Sequence, residues 1–126
     1  MIVIDTSVLI DGLSGAKLSA PAIRDAIAEG EEILLPALVL YEWLRGPRLS
    51  EELAAQESIF PSKSAVPFDK EQAKVSADLY RSVRRARTRE VDLAIAACAL
   101  VHEARLWTLN RPDFRDVPGI RLYGPG

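Results

Sequence analysis

Short runs of branched apolar residues alternate along this chain with longer segments in which apolar residues recur at helical spacing. The runs lie at 2–4, 33–35 and 106–109. Two parallel strands need a connection that crosses the sheet, and a helix usually provides it. The alternation therefore predicts an α/β fold, with helices on both faces of a central, mainly parallel sheet. In such a sheet, ligand sites gather at the carboxyl ends of the strands.

Start and stop signals set the expected bounds of the helices. Proline or a small polar residue precedes several periodic segments, and glycine or proline follows them. A further apolar run at 120–123 predicts an edge strand, and 65–66 predicts a brief one. The predicted helices cover 8–13, 20–29, 37–45, 51–59, 70–87 and 88–103.

The size and composition are typical of one globular domain. The chain has 126 residues, of which 48% are hydrophobic, so we expect one core and one domain over residues 1–126. No apolar run approaches the roughly 18 residues of a membrane span, and the first residues lack the basic start of an export signal. The single cysteine, Cys98, lies in an apolar segment and is expected in the core. These features predict a cytoplasmic protein without a membrane partner.

The charge is small overall but unevenly distributed. A formal net charge of −2 argues against non-specific coating of nucleic acid, which needs a large basic excess. Residues 81–126 nevertheless carry nine basic and five acidic side chains, whereas residues 1–80 carry seven and thirteen. A cluster within the basic part is either a solvated surface or a local phosphate-binding patch, since the planar guanidinium suits phosphate. It consists of Arg84, Arg85, Arg87 and Arg89.

Four carboxylates occupy positions that are unusual for acidic residues. Asp5 directly follows the first strand, and Asp113 follows the strand near Trp107, so both are expected at one edge of the sheet. Glu42 and Asp92 each align with apolar positions of a helix. A buried carboxylate needs a cation or a hydrogen-bond network. A hard cation, Mg²⁺ or Mn²⁺, would suit an all-oxygen site.

Each carboxylate also has a purely structural interpretation. Asp5 could cap the helix that follows it. Glu42 could pair with Arg45 three residues later, and Asp92 could interact with the dipole of its own helix. Asp113 could serve the turn in which it lies. Spacing alone leaves these alternatives open.

Four segments, taken together and in this order, resemble the motifs of PIN domains. Residues 1–10 (MIVIDTSVLI) resemble the opening motif, and 36–42, 92–97 and 106–114 resemble the three that follow. The resemblance implies a three-layer α/β/α fold and metal-dependent endoribonuclease activity on RNA, with Mg²⁺ or Mn²⁺ as cofactor. The chain is similar to the toxin half of VapBC-type toxin–antitoxin pairs, which implies a homodimer and a VapB-like antitoxin as partner.

Matched to these motifs, individual residues acquire expected roles. The resemblance implies that Asp5, Glu42 and Asp92 are catalytic acids, and that Asp5 and Asp92 bind the metal ion. Asp113 is expected to be the fourth acid, with Asn110 as a polar neighbour. Accessory hydroxyls are expected on Thr6, Ser7 and Thr108, and contacts to RNA from Arg84, Arg85, Arg87 and Arg89.

Three other functions would also be compatible with parts of this sequence. One is a PIN ribonuclease of RNA processing or decay, and another is a catalytically silent PIN domain that binds RNA or protein. An aspartate-based phosphatase would also place an acid after the first strand, but it would need a lysine near a late strand, and 107–114 has none.

For the homodimer, the expected interface core includes Tyr41, Trp43 and Leu44, since aromatic residues are enriched in interfaces.

Overall fold

A three-stranded parallel sheet forms the centre of the computed structural model, which describes residues 1–124. The strands are β1 (Ile2–Ile4), β2 (Ile33–Leu34) and β3 (Arg105–Trp107), in the order β2-β1-β3. Residues Ile2, Val3 and Ile4 are fully buried, as expected for a central parallel strand covered on both faces. The carboxyl ends of β1 and β3 lie side by side, because Ile4 pairs with Trp107.

Six α-helices surround the sheet and complete the predicted α/β/α arrangement. The helix most embedded in the core is the last, in which every residue from 93 to 99 is buried, including Cys98. It packs against the fifth helix and contacts β1 and β3. The helices are α1 (Thr6–Leu13), α2 (Ala20–Ala28), α3 (Ala37–Arg45), α4 (Ser50–Ile59), α5 (Lys70–Ser82) and α6 (Glu90–Val101).

The predicted boundary between the last two helices is wrong. The helix expected over 70–87 ends at Ser82, and the one expected from 88 begins at Glu90. Between them the backbone turns through Arg85 in the left-handed region, with a φ of 52°, and forms a short 3-10 helix at Ala86–Arg89. The Thr88 hydroxyl donates to the carbonyl of Arg85 and does not cap α6. The arginine cluster therefore lies on a compact loop.

Two expected strands are reduced to single parallel bridges. Leu122 bridges to Leu106, and Val66 bridges to Pro36. The third strand also ends at Trp107, two residues earlier than predicted. Thr108 explains that early end, because its hydroxyl accepts from the backbone N–H of Asn110 and so competes with continued strand pairing.

Helix α3 does not present its tryptophan to a partner. Trp43 is fully buried in the core, so its assignment to a dimer interface is wrong. Tyr41 and Leu44 on the same helix are 55% and 51% exposed, and they remain available for an interface. Val39 is also fully buried and lies four residues before Trp43, so these two define the inward face of α3.

Within residues 1–124, none of the helices combines the length and the apolar character that crossing a membrane requires.

Candidate active site

Asp5 is held rigidly where the central strand ends. Its side chain lies in the buried interior, and the hydroxyls of Ser7 and Thr108 both donate to Oδ2, at 2.9 and 2.7 Å. Asp5 stands at the N-cap position of α1, but its carboxylate makes no capping hydrogen bond. The Asp5 side chain is therefore free of the capping role that the sequence left open, and two of the three expected hydroxyls orient it.

Glu42 is connected to the same corner of the sheet through the third expected hydroxyl. Thr6 donates to Oε1 of Glu42 at 2.5 Å, although the two residues are 36 positions apart. The alternative pair with Arg45 also forms, at 3.4 Å between Nη2 and Oε2, but the Arg45 side chain is mostly exposed. An exposed ion pair of this kind contributes little to stability. The part-buried contact to Thr6 links Glu42 to the residue that directly follows Asp5.

Asp92 is the most perturbed acid of the group. Burial, followed by the charges of Asp5, Asp113 and Glu42 in that order, raises the pKa of its carboxyl to about 6. The guanidinium of Arg89 acts in the opposite direction and lowers the pKa. Four acidic side chains thus share one electrostatic environment around the first turn of α6. Perturbed carboxyls in such clusters are characteristic of functional sites.

Asp113 and Asn110 belong to the turn that follows β3. Asp113 is exposed and ends a short 3-10 helix at Arg111–Asp113. It lines a polar cavity of about 290 Å³ together with Asp92, Arg85 and Thr88. Asn110 is tied to the site through its backbone N–H, which donates to the Thr108 hydroxyl.

The four carboxylates do not form a preassembled metal cage. Among residues 1–124, no three side chains of His, Cys, Asp or Glu are grouped closely enough to enclose a metal ion. Mg²⁺ does not require such a cage, because it keeps several of its waters and binds through one or two carboxylates.

The predicted arginine patch divides into two kinds of residue. Arg84, Arg85 and Arg87 are exposed. Arg85 lines the cavity shared by Asp92 and Asp113, and Arg87 lines a second polar hollow beside Glu42 and Asp92. Arg89 differs, since its side chain is 15% exposed and pairs with Asp116. Arg89 also lines both hollows, and its contact with RNA stays a prediction.

Asp116 is a residue of the site region that sequence reasoning missed. Its carboxylate binds both Nη atoms of Arg89, and this contact lowers the pKa of the Asp116 carboxyl. The two residues are 27 positions apart and belong to different loops. No local spacing rule connects such a pair, so no signal in the sequence could have identified it.

Comparison with known proteins identifies the family. The family model described as the PIN domain matches residues 2–120. The chain therefore belongs to the PIN-domain family. More particularly, it is 36% identical over 124 residues to Ribonuclease VapC19 of Mycobacterium tuberculosis, covering 96% of this chain and 98% of that protein. This likeness confirms the relationship to VapC proteins that the four motifs predicted.

Solved structures confirm the fold. The crystal structure of VapBC2 from Rickettsia felis, bound to a DNA fragment from its promoter, aligns with a TM-score of 0.75 and 17% identity over the whole of both chains. The crystal structure of FitAcB from Neisseria gonorrhoeae aligns with a TM-score of 0.71 and 21% identity, over 99% of this chain and 98% of that one. At these identities the likeness establishes a shared α/β/α architecture.

Proposed function

We propose that this protein is an endoribonuclease that hydrolyses phosphodiester bonds in RNA and acts as the toxin of a toxin–antitoxin pair. The observation that carries the proposal is the placement of Asp5 by Ser7 and Thr108, together with an Asp92 carboxyl whose pKa is raised by burial and by neighbouring acids. Acids kept together at such an electrostatic cost are best explained by a cation that they bind. The similarity to Ribonuclease VapC19 supports the choice of RNA as substrate.

Asp5 and Asp92 are the residues that would hold Mg²⁺ or Mn²⁺. Every side-chain donor around them is an oxygen, which suits a hard divalent cation and not zinc. The hydroxyls of Ser7 and Thr108 both contact Oδ2 of Asp5, so Oδ1 receives neither of these hydrogen bonds. When bound, such a cation polarises the scissile phosphate and lowers the pKa of a water molecule.

The other side chains would position the substrate and the attacking water. Glu42, which accepts a hydrogen bond from Thr6, would accept a proton from water as it attacks the phosphorus. Attack by water leaves a 3′-hydroxyl and a 5′-phosphate. The exposed guanidinium groups of Arg84, Arg85 and Arg87 would contact the RNA backbone beside the acids. These local contacts are compatible with a chain whose net charge is −2.

Several observations favour a toxin over the competing interpretations. A silent binding domain would not need to keep four clustered acids, one of them with a strongly perturbed pKa. An RNase of processing or decay would share the same chemistry, but the chain matches Ribonuclease VapC19 along 98% of that protein's length. We therefore propose a VapB-like antitoxin as partner and the cytoplasm as the place of action. The exposed Tyr41 and Leu44 are proposed to lie in a homodimer interface.

Metal removal tests the proposed activity directly. The purified protein is expected to cleave RNA in Mg²⁺ or Mn²⁺, to leave 5′-phosphate ends, and to lose all cleavage in EDTA until metal is restored. Asp5→Asn, purified in parallel, is the matched control for a contaminating nuclease and should be inactive. Expression in cells is expected to arrest growth, and co-expression of the antitoxin should relieve the arrest. Equal cleavage by the two preparations, or cleavage that EDTA leaves unchanged, would contradict the proposal.

A further inference from the structure

One guanidinium joins two loops that border the candidate active site. Nη1 of Arg89 donates to the carbonyl oxygen of Arg84 and to Oδ2 of Asp116, both at 2.9 Å. Nη2 donates to the carbonyl oxygen of Asp113 at 2.9 Å and to Oδ1 of Asp116 at 2.6 Å. We call this set of four hydrogen bonds the Arg89 clasp. It engages both terminal nitrogens of the side chain in a mostly buried position.

The clasp connects the loop before α6 to the turn that carries Asp113. Arg89 lies directly before α6, and Asp92 lies in the first turn of that helix. The turn has an apolar anchor, because Phe114 is fully buried. Its polar side is attached to the loop before α6 through the bond from Arg89 to the carbonyl of Asp113. The position of Asp113 relative to Asp92 therefore depends on Arg89.

Only an arginine can make this connection. The planar fork binds both oxygens of Asp116 and also two backbone carbonyls, a set of four bonds that the three donors of a lysine ammonium do not match. The clasp also acts against a repulsion, because Asp92 and Asp113 carry like charges. Asp113 is exposed, so the packing of its own side chain does little to resist that repulsion.

We propose that Arg89 is a positioning residue, which with Asp116 holds the Asp113 carboxylate facing Asp92, and not a ligand of the substrate phosphate. The inference rests on the proposed function, since it assumes that Asp113 contributes to the metal site. Replacing a residue that orients a metal ligand typically lowers the metal affinity tenfold or more. Arg89 and Asp116 are therefore expected to control metal affinity without touching the metal.

The test measures Mn²⁺ affinity by calorimetry on the RNA-free protein. Arg89→Lys keeps the charge but loses the planar guanidinium. Asp116→Asn removes the negative charge of the partner, which is half-exposed, and so weakens the Arg89 clasp without changing the core. Both are expected to bind Mn²⁺ at least about tenfold more weakly than the parent while remaining folded by circular dichroism. Arg81→Lys is the matched control, because it disrupts an exposed arginine–aspartate pair with Asp78 and should leave Mn²⁺ affinity unchanged.

Combination with Asp113→Asn separates failure of the inference from failure of the proposed function. We expect Asp113→Asn to weaken Mn²⁺ binding and Arg89→Lys to add nothing further in that background, since both act through one carboxylate. If the two substitutions lower Mn²⁺ affinity additively, the inference is wrong and the proposed function stands. The same holds if Arg89→Lys changes the KM for RNA and leaves Mn²⁺ affinity unchanged. If Asp113→Asn itself leaves Mn²⁺ affinity unchanged, the role of Asp113 in the proposed function fails, and the inference fails with it.

Discussion

Replacing Asp92 by asparagine is expected to abolish RNA cleavage and, at the same time, to stabilise the metal-free protein at pH 7. Asparagine is almost isosteric with aspartate, so the change removes a charge and little else. The cation would lose a charged ligand, which removes the cleavage activity. The metal-free fold would lose the repulsion that Asp92 experiences from Asp5, Asp113 and Glu42. Activity and stability therefore move in opposite directions.

The effect of Asp92→Asn on stability should depend on pH in a defined direction. The pKa of Asp92 is about 6 in the folded protein, compared with about 3.9 for an unfolded aspartate. Well below pH 3.9 the carboxyl is protonated in both states, so the parent and the variant should be equally stable. Between about pH 4 and pH 6 the unfolded chain releases this proton while the folded parent still holds it, so the parent loses stability over that range, and the loss is complete above pH 6. The difference should approach at most about 3 kcal/mol at pH 7.

Urea unfolding in EDTA at pH 3 and at pH 7 measures this difference. Asp25→Asn, at an exposed position of α2, is the control for a simple loss of one negative charge and should show no such pH dependence. Addition of Mn²⁺ at pH 7 should stabilise the parent by mass action but not Asp92→Asn. A variant that is less stable than the parent at pH 7, yet still cleaves RNA, would make Asp92 a structural residue and remove the main support for the metal site.

Replacing Trp43 by alanine is expected to destabilise the protein by about 3–5 kcal/mol, the usual cost of emptying a buried aromatic site. Trp43 is fully buried, and the guanidinium of Arg48 lies 4.3 Å from its ring centroid, so both packing and a cation–π contact are lost. A loss of this size is a large part of the free energy of unfolding of a small domain. Chemical unfolding monitored by circular dichroism measures it.

Leu44→Glu is the matched comparison for Trp43→Ala on the same helix. Leu44 is exposed on α3, so this change should leave the fold intact and, through the proposed interface, convert the dimer to a monomer in light scattering. If Trp43→Ala instead gave a monomer as stable as the parent, the buried position of Trp43 in this structure would be wrong.

Features that depend on local sequence pattern could be predicted from the sequence. The bounds of α3 at 37–45 were predicted to the residue, because proline precedes the helix and Gly46 and Pro47 follow it. The acids after β1 and β3 were expected at one edge of the sheet because parallel strands end together. The pairing of Ile4 with Trp107 confirms that geometry.

Features that depend on contacts between residues far apart in the chain could not be predicted from the sequence. Helix α5 ends at Ser82 and not at 87, and the loop that follows is stabilised by bonds from Arg89 to Arg84 within the loop and to Asp116 in the segment after β3. The inward direction of Trp43 was ambiguous for a different reason. Nearly every position of α3 is apolar, so helical spacing alone does not distinguish the core face from an exposed apolar face.

The most direct test of the account is the position of a bound ion. Crystals of the protein soaked in Mn²⁺ should give an anomalous difference peak between Asp5 and Asp92, within about 2.5 Å of a carboxylate oxygen of each. Crystals of Asp92→Asn, soaked identically, should lack it. A peak away from Asp5 and Asp92, or none at a Mn²⁺ concentration that supports RNA cleavage, would contradict the claim that these carboxylates hold the catalytic metal.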